Sequence, residues 1–224
     1  MARPARRGGE SGLVRSCCLG FVLLVVAVGL ATYFADRALA GPSLGAPPVG
    51  PDDGDSQTQI ALTVGARVVA GLAASEHAAV ALSERDLTVL IDAHNPHPDR
   101  FTNLEARVRD HLLVISADDH AGPFSVTPVL RIALSLQGSS ARAIAVRVEE
   151  MDVGQLTLPG FMRDRLTGDL PAVLSIPALF GAAPALTALS DNLECVAVTG
   201  NTVLIGLHRP GAAAETQTCA GSRA

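Results

Sequence analysis

The stretch LRIALSLQGSSARAIAVRVE, residues 130–149, decides the fold class of this chain. Its aliphatic residues stand at every second position and are separated by polar or small ones. They are Leu130, Ile132, Leu134 and Leu136 before the central Gly-Ser segment, and Ile144, Val146 and Val148 after it. A period of two is typical of a strand with one buried face. We therefore expect two successive antiparallel strands that share one aliphatic face.

More strands are predicted on both sides of this pair. Residues 104–109 alternate apolar and charged side chains, and HLLVISA from His111 continues the pattern, so one long bulged strand or two short strands would fit. A short strand is expected at residues 79–82. Near the end of the chain, ECVAV and TVLIGLH are joined at Thr199-Gly200-Asn201, which predicts a hairpin.

Two helices are predicted between residues 59 and 95. In residues 59–74 the apolar side chains recur at helical spacing, which is typical of an amphipathic helix that packs on a sheet. The second helix follows Ser83, whose hydroxyl is expected to cap it, with an acid three residues later at Asp86. Residues 170–190 carry no charge, and prolines interrupt them, which predicts short helical turns or a loop.

The N-terminal part carries a targeting signal. The 18 residues from Cys17 to Phe34 are uncharged and would reach about 27 Å as a helix, close to the thickness of a bilayer core. Four Arg precede them, so the positive-inside rule places the N-terminus in the cytoplasm. The alternative is a signal peptide cleaved after Ala38-Leu39-Ala40. Both interpretations export the rest of the chain across the plasma membrane.

The expected organisation has one folded domain, long enough to bury a sizeable core. The parts are a cytoplasmic N-terminus (1–15), a transmembrane anchor or signal peptide (16–35), a flexible linker (36–56), an extracytoplasmic α+β domain (57–210) and a C-terminal tail (211–224).

The exported part is acidic and poor in aromatic residues. Five of the 17 basic residues and two of the 22 acidic ones precede residue 41, so the rest carries 12 Arg against 20 acids. This charge argues against nucleic acid as a partner. Only four Phe follow residue 40, whereas surfaces that stack bases use aromatic rings. Nucleic-acid and carbohydrate binding are therefore disfavoured.

No catalytic constellation is recognised. The sequence has no G-x-S-x-G elbow, P-loop or dinucleotide fingerprint, so no catalytic residue and no cofactor is predicted. Histidine and aspartate crowd into DAHNPHPD at residues 92–99, with Asp118-Asp119-His120 further on, but the spacing is not a zinc motif and no metal is predicted. Cys195 and Cys219 would be exported, where thiols oxidise. A disulfide between them would staple the tail to the last hairpin; unpaired, Cys195 would be a small strand residue.

The segment ALSERDLTVLIDA, the strand series after it and MDVGQLTLPGFMRDRL together resemble the YpmS-like and LmeA-like families of membrane-anchored extracytoplasmic bacterial proteins. The resemblance covers residues 79–168. Its helix motif falls on Leu82, Ser83, Asp86 and Leu87, and its Gly-x-Leu-x-Leu-Pro motif falls on Gly154, Leu156, Leu158 and Pro159. The Pro-rich stretch and short final hairpin depart from the longer C-terminal part of those families.

The resemblance implies an α+β fold of the tubular lipid-binding (TULIP-like) kind, preceded here by one transmembrane helix. A curled antiparallel sheet would pack on one long amphipathic helix and short helices around an apolar groove. The groove residues expected are Leu87, Leu90, Ile91, Leu130, Ile132, Leu134, Leu136, Ile144, Val146, Leu156, Leu158 and Phe161. The implied function is non-catalytic lipid binding or handling at the cell envelope. The alternative is a ligand-free scaffold domain that binds an envelope protein.

Overall fold

The computed structural model describes residues 10–39, 41, 56–121, 124–137, 143–168, 170–181, 186, 190–215 and 219, and in the first helix it describes side chains from Leu23 onward. The helices are α1 (Glu10–Leu39), α2 (Gln57–Ala74), α3 (Glu84–Ala93), α4 (Gly160–Leu166) and α5 (Ile176–Phe180), with one 3-10 turn at Ser190–Asn192. The strands are β1 (His77–Ser83), β2 (Phe101–Arg109), β3 (Leu112–Ala121), β4 (Phe124–Val126), β5 (Pro128–Gln137), β6 (Ala143–Val153), β7 (Leu156–Thr157), β8 (Val173–Leu174), β9 (Leu193–Thr199) and β10 (Thr202–His208). The fold is α+β with antiparallel sheets.

The strands form two sheets rather than the single curled sheet that was predicted. One has three strands in the order β1-β10-β9, and the other has seven, with β2-β3-β5-β6-β7 in order, β4 on β3 and β8 on β6. The last hairpin pairs with β1 instead of with the other strands, from Ser83 opposite Thr202 to His77 opposite His208. Such a long-range pairing leaves no local signal in the sequence.

Helix α2 covers the three-stranded sheet, as the periodicity of residues 59–74 predicted. Ser56 caps it by accepting a hydrogen bond from the Gln59 N–H at 3.2 Å. Val64 and Val68 are buried in the same core as Leu82 of β1. This packing is close, because a Cβ built on Gly71 would lie 2.8 Å from the Cβ of Ala78.

Helix α3 joins the two sheets and begins with the predicted capping box. The Ser83 hydroxyl accepts from the Asp86 N–H at 3.2 Å, and the Asp86 carboxylate accepts from the Ser83 N–H at 2.9 Å. The Thr88 hydroxyl accepts from the Ala106 N–H at 3.0 Å. These bonds attach α3 to both β1 and β2.

The region around Asp110 contains two strands, one of the two alternatives that the sequence left open. Asp110 and His111 both have positive φ, 51° and 63°. Two successive residues in this region are typical of the tight turn of a hairpin. Accordingly, β2 pairs with β3 from Arg109 opposite Leu112 outward.

Helix α1 continues to Leu39, three residues past residue 36, where the flexible linker was expected to begin. Arg37 in its last turn complements the negative end of the helix dipole. Of the expected linker, residues 36–39, Gly41 and Ser56 are described; the rest of it and residues 1–9 lie outside the described residues. Among the helices that the structure describes, none combines the length and apolarity needed to cross a bilayer.

A disulfide joins Cys195 of β9 to Cys219, with 6.1 Å between the Cα atoms. It crosses the outer face of the three-stranded sheet, opposite α2, and packs with Leu204. Gly206 lies directly beneath it: a Cβ there would lie only 2.3 Å from the Cys195 Sγ. The bond thus ties the tail to the last hairpin.

Candidate functional site: the apolar face of the seven-stranded sheet

The alternation in residues 130–149 produces one continuous aliphatic face. Leu134 pairs with Val146 and Leu136 pairs with Ile144, so these side chains lie on the same side of β5 and β6. A register shift between Arg131 and Ile132 leaves this alternation intact, since Ile132 pairs with Val148. The face continues into β3, where Ile115 lies opposite Leu130.

The opposite side of β5 and β6 is charged. Arg131 forms ion pairs with Glu150 at 2.9 Å and Asp152 at 2.5 Å, and Arg147 pairs with Glu149. A sheet with one aliphatic and one charged face must cover the aliphatic face with protein or with another apolar group.

The aliphatic face is only partly covered. Ile132 and Ile144 are buried at 4% and 3% exposure. Around them, other side chains of the face pack against the core but stay half-buried. They are Leu130, Leu134, Leu136, Val146, Val148 and Ile115, together with Ile91 of α3. The face is therefore an apolar surface that water still reaches along β5 and β6.

The uncharged segment 170–190 closes one end of this face. Leu174 of β8 pairs with Ile144, so the segment adds a short strand to the β6 edge. Ile176 and Phe180 of α5 are then buried in the core at 2% and 3% exposure. In the described part of the segment, the chain forms short elements, as its prolines predicted.

The remaining predicted groove residues lie in different places. Leu87 and Leu90 of α3 are buried in the core at 4% and 0% exposure. Leu156 and Leu158 are half-buried at β7 and beyond it. Phe161 lies on α4 at 75% exposure, outside the aliphatic face, because α4 leaves the sheet after Pro159. The sequence could not reveal this turn away from the sheet.

The core beneath the three-stranded sheet is closed. A cavity of about 10 Å³ lies between α2, β1, α5 and β10, among side chains that include Val68, Leu82 and Phe180. This volume holds at most about one water molecule and its lining is apolar. An acyl chain cannot enter this half without rearrangement.

The polar residues of the DAHNPHPD segment and of residues 118–120 make structural contacts. The Nδ1 of His94 lies 2.7 Å from the Leu90 carbonyl oxygen at the end of α3. Asp119 binds Arg100 at 2.8 Å, and His120 lies 2.9 Å from the Thr102 hydroxyl. Within the described residues, no three His, Cys, Asp or Glu side chains form a group that could hold a metal ion.

A buried carboxylate that the sequence did not reveal lies beside the disulfide. The Glu194 side chain is fully buried; its Oε2 lies 2.9 Å from the His77 Nδ1 and accepts from the Glu215 N–H at 3.1 Å. The hydrogen bond to Glu194 raises the pKa of His77, and the negative charges of Glu194, Glu215 and Glu76 act in the same direction. These contacts fasten the C-terminal tail to β1 and β9.

Comparison with known protein families, curated proteins and solved structures gave no match to this chain.

Proposed function

We propose that this protein is a membrane-tethered, extracytoplasmic, non-catalytic module that binds an acyl chain along the aliphatic face of β5 and β6. One observation carries the proposal: this face is continuous and half-buried, whereas the core beside it is closed. Covering apolar surface stabilises a complex by about 25 cal/mol per Å² before the cost of ordering the ligand. A lipid tail is apolar, so it can cover such a face without making any polar contact.

The tether is supported by α1. Its apolar side chains are exposed by half or more all along the described part: Leu23, Leu24, Val25, Val26, Val28, Leu30, Tyr33 and Phe34. A helix that is apolar on all sides needs an apolar environment. The uncharged run from Cys17 to Phe34 and the Arg residues before it favour a bilayer, with the N-terminus in the cytoplasm.

Photo-crosslinking tests the acyl site on the full chain. The protein is inserted in membranes that contain a phospholipid with a diazirine in its acyl chain, irradiated and digested with trypsin. Arg131, Arg142 and Arg147 bound two peptides that cover the aliphatic face, residues 132–142 and 143–147. We expect crosslinks in both peptides, in addition to those in α1.

A matched pair of variants gives the control. Leu134→Asp places a charge on the aliphatic face, while Ser135→Asp places the same charge one residue along the same strand, on the exposed opposite side. Crosslinks to residues 132–147 should disappear in Leu134→Asp and persist in Ser135→Asp, with both proteins folded by circular dichroism. Crosslinks confined to α1 in the wild type would contradict the acyl site.

A second candidate function is a ligand-free scaffold of an envelope assembly. It is favoured by the closed core under the three-stranded sheet, which leaves no room for an acyl chain in that half of the domain. In that case an envelope protein would cover the aliphatic face. Crosslinking in whole cells would then capture a protein, not a lipid, at residues 132–147.

A further inference from the structure

Helix α4 exposes its apolar side chains to solvent. None of its residues is buried, and Phe161, Met162 and Leu166 are 75%, 41% and 58% exposed. On a helical wheel these three side chains lie within one arc of the helix. Leu170, just after the helix, is exposed by 42%. An isolated apolar side chain on a surface is ordinary, but a cluster on one short helix marks an interaction site.

The charges of α4 differ from those of the domain around it. The helix carries Arg163 and Arg165 against one acid, Asp164, while the exported part as a whole has an excess of acids. Arg165 is exposed and falls within the apolar arc of the wheel. Apolar side chains mixed with arginine suit the boundary between lipid headgroups and acyl chains.

The turn that precedes α4 contacts the end of α1. The carbonyl oxygen of Arg37 accepts a hydrogen bond from the Gln155 N–H at 2.9 Å, and the Arg37 side chain binds the Gln155 side chain. Gly154 lies against the last turn of α1 with a φ of 60°, so closely that a Cβ would collide with the Ala38 carbonyl oxygen. Helix α4 begins five residues after Gln155. Arg163 holds α4 near β6, because its side chain donates a hydrogen bond to the Glu149 carbonyl oxygen.

We propose that α4 lies on the surface of the membrane that holds α1, with Phe161, Met162 and Leu166 inserted at the headgroup boundary and Arg165 on anionic lipid phosphates. This inference rests on the proposed tether. The contact of α4 with the membrane would hold the domain against the bilayer at the end of the sheet where α1 docks. A lipid could then pass from the bilayer to the aliphatic face without crossing water.

Tryptophan fluorescence tests this placement, because the chain contains no Trp. Phe161→Trp puts a single tryptophan on α4. The matched control, Leu62→Trp, puts it at a similarly exposed apolar position, 67%, on α2. Both full-length proteins are inserted in vesicles of phosphatidylcholine and phosphatidylglycerol whose acyl chains carry bromine. Flotation first measures whether each protein is in the vesicles.

We expect the α4 tryptophan of the Phe161→Trp protein to lose about half of its emission and to shift to the blue, because a helix at the interface places its apolar side chains roughly 5 to 10 Å into the boundary. The α2 tryptophan of the Leu62→Trp protein should keep its emission. Adding Arg165→Glu to Phe161→Trp, or omitting phosphatidylglycerol, should weaken the quenching of the α4 tryptophan, since both changes remove attraction to anionic lipid.

The outcomes separate this inference from the tether. Proteins that float with the vesicles while the α4 and α2 tryptophans are quenched equally contradict the placement of α4 and leave the tether standing. The α4 tryptophan could instead shift to the blue without quenching, to an extent that depends on protein concentration. That result would show that α4 packs against a second copy of the chain, and it would overturn the inference. Proteins that do not float contradict both.

Discussion

The two sheets of this protein bury their apolar faces to different extents. Beneath the three-stranded sheet, α2 and α5 close the core around side chains such as Val68 and Leu82, and a disulfide covers the outer face. On the seven-stranded sheet, Leu134 and Val146 stay half-buried. Strands of both sheets carry aliphatic side chains on the face that meets the core. The helices over each sheet, rather than its strand pattern, therefore decide how far its apolar face is covered.

The largest loss of stability should come from shortening a buried side chain in the closed half, beneath the three-stranded sheet. Leu82 is fully buried, so Leu82→Ala should lower the free energy of unfolding by roughly 3 to 5 kcal/mol, through lost burial and a cavity. The same truncation at half-buried Leu134 should cost about 1 kcal/mol. Urea unfolding of the full chain in detergent, followed by circular dichroism, measures both. Equal losses would show that the two halves are closed alike.

Next in size is the disulfide. Cys195 and Cys219 are 24 residues apart, and releasing a loop of this size should lower the free energy of unfolding by about 3 kcal/mol. Cys219→Ser and the double variant Cys219→Ser, Cys195→Ser should lower the free energy of unfolding by the same amount, because each protein lacks the same disulfide. The aliphatic face of β5 and β6 should still crosslink to lipid. If crosslinking disappeared, the two halves would not be independent.

A smaller effect is expected at the junction of the halves. Ser83→Ala removes the cap of α3, which should lower the free energy of unfolding by about 1 kcal/mol. Ser83→Thr keeps the hydroxyl and should restore most of the stability. The comparison is again made by urea unfolding. A loss in Ser83→Ala that Thr does not restore would mean that packing, not capping, is the cause.

The smallest effect concerns pH. The hydrogen bond to Glu194 raises the pKa of His77 above its ordinary value, so the folded state holds this proton more tightly than the unfolded chain. The resulting stability is fully present below about pH 6.5 and is lost as the pH rises through the folded-state pKa. His77→Gln should flatten the dependence of Tm on pH across this window. If the dependence of Tm on pH were unchanged in His77→Gln, groups other than His77 would be its cause.

Local features were predictable from the sequence and long-range ones were not. The amphipathic stripe of α2, the capping box at Ser83 and the hairpin at Gly200 depend on neighbouring residues, and the structure confirms them. The pairing of β1 with β10 depends on residues far apart, so the split into two sheets was missed. The same holds for the site. The aliphatic stripe of β5 and β6 was visible, but which of its residues are covered, and the departure of Phe161 from the sheet, depend on how later segments pack.

Native mass spectrometry of the full chain, extracted from its membrane, tests whether the aliphatic face of β5 and β6 holds a lipid. Lipids on α1 should be common to all variants. We predict that the wild type and Ser135→Asp carry one more tightly held lipid than a folded Leu134→Asp protein. Identical lipid distributions in the three proteins would contradict the claim and favour the scaffold function.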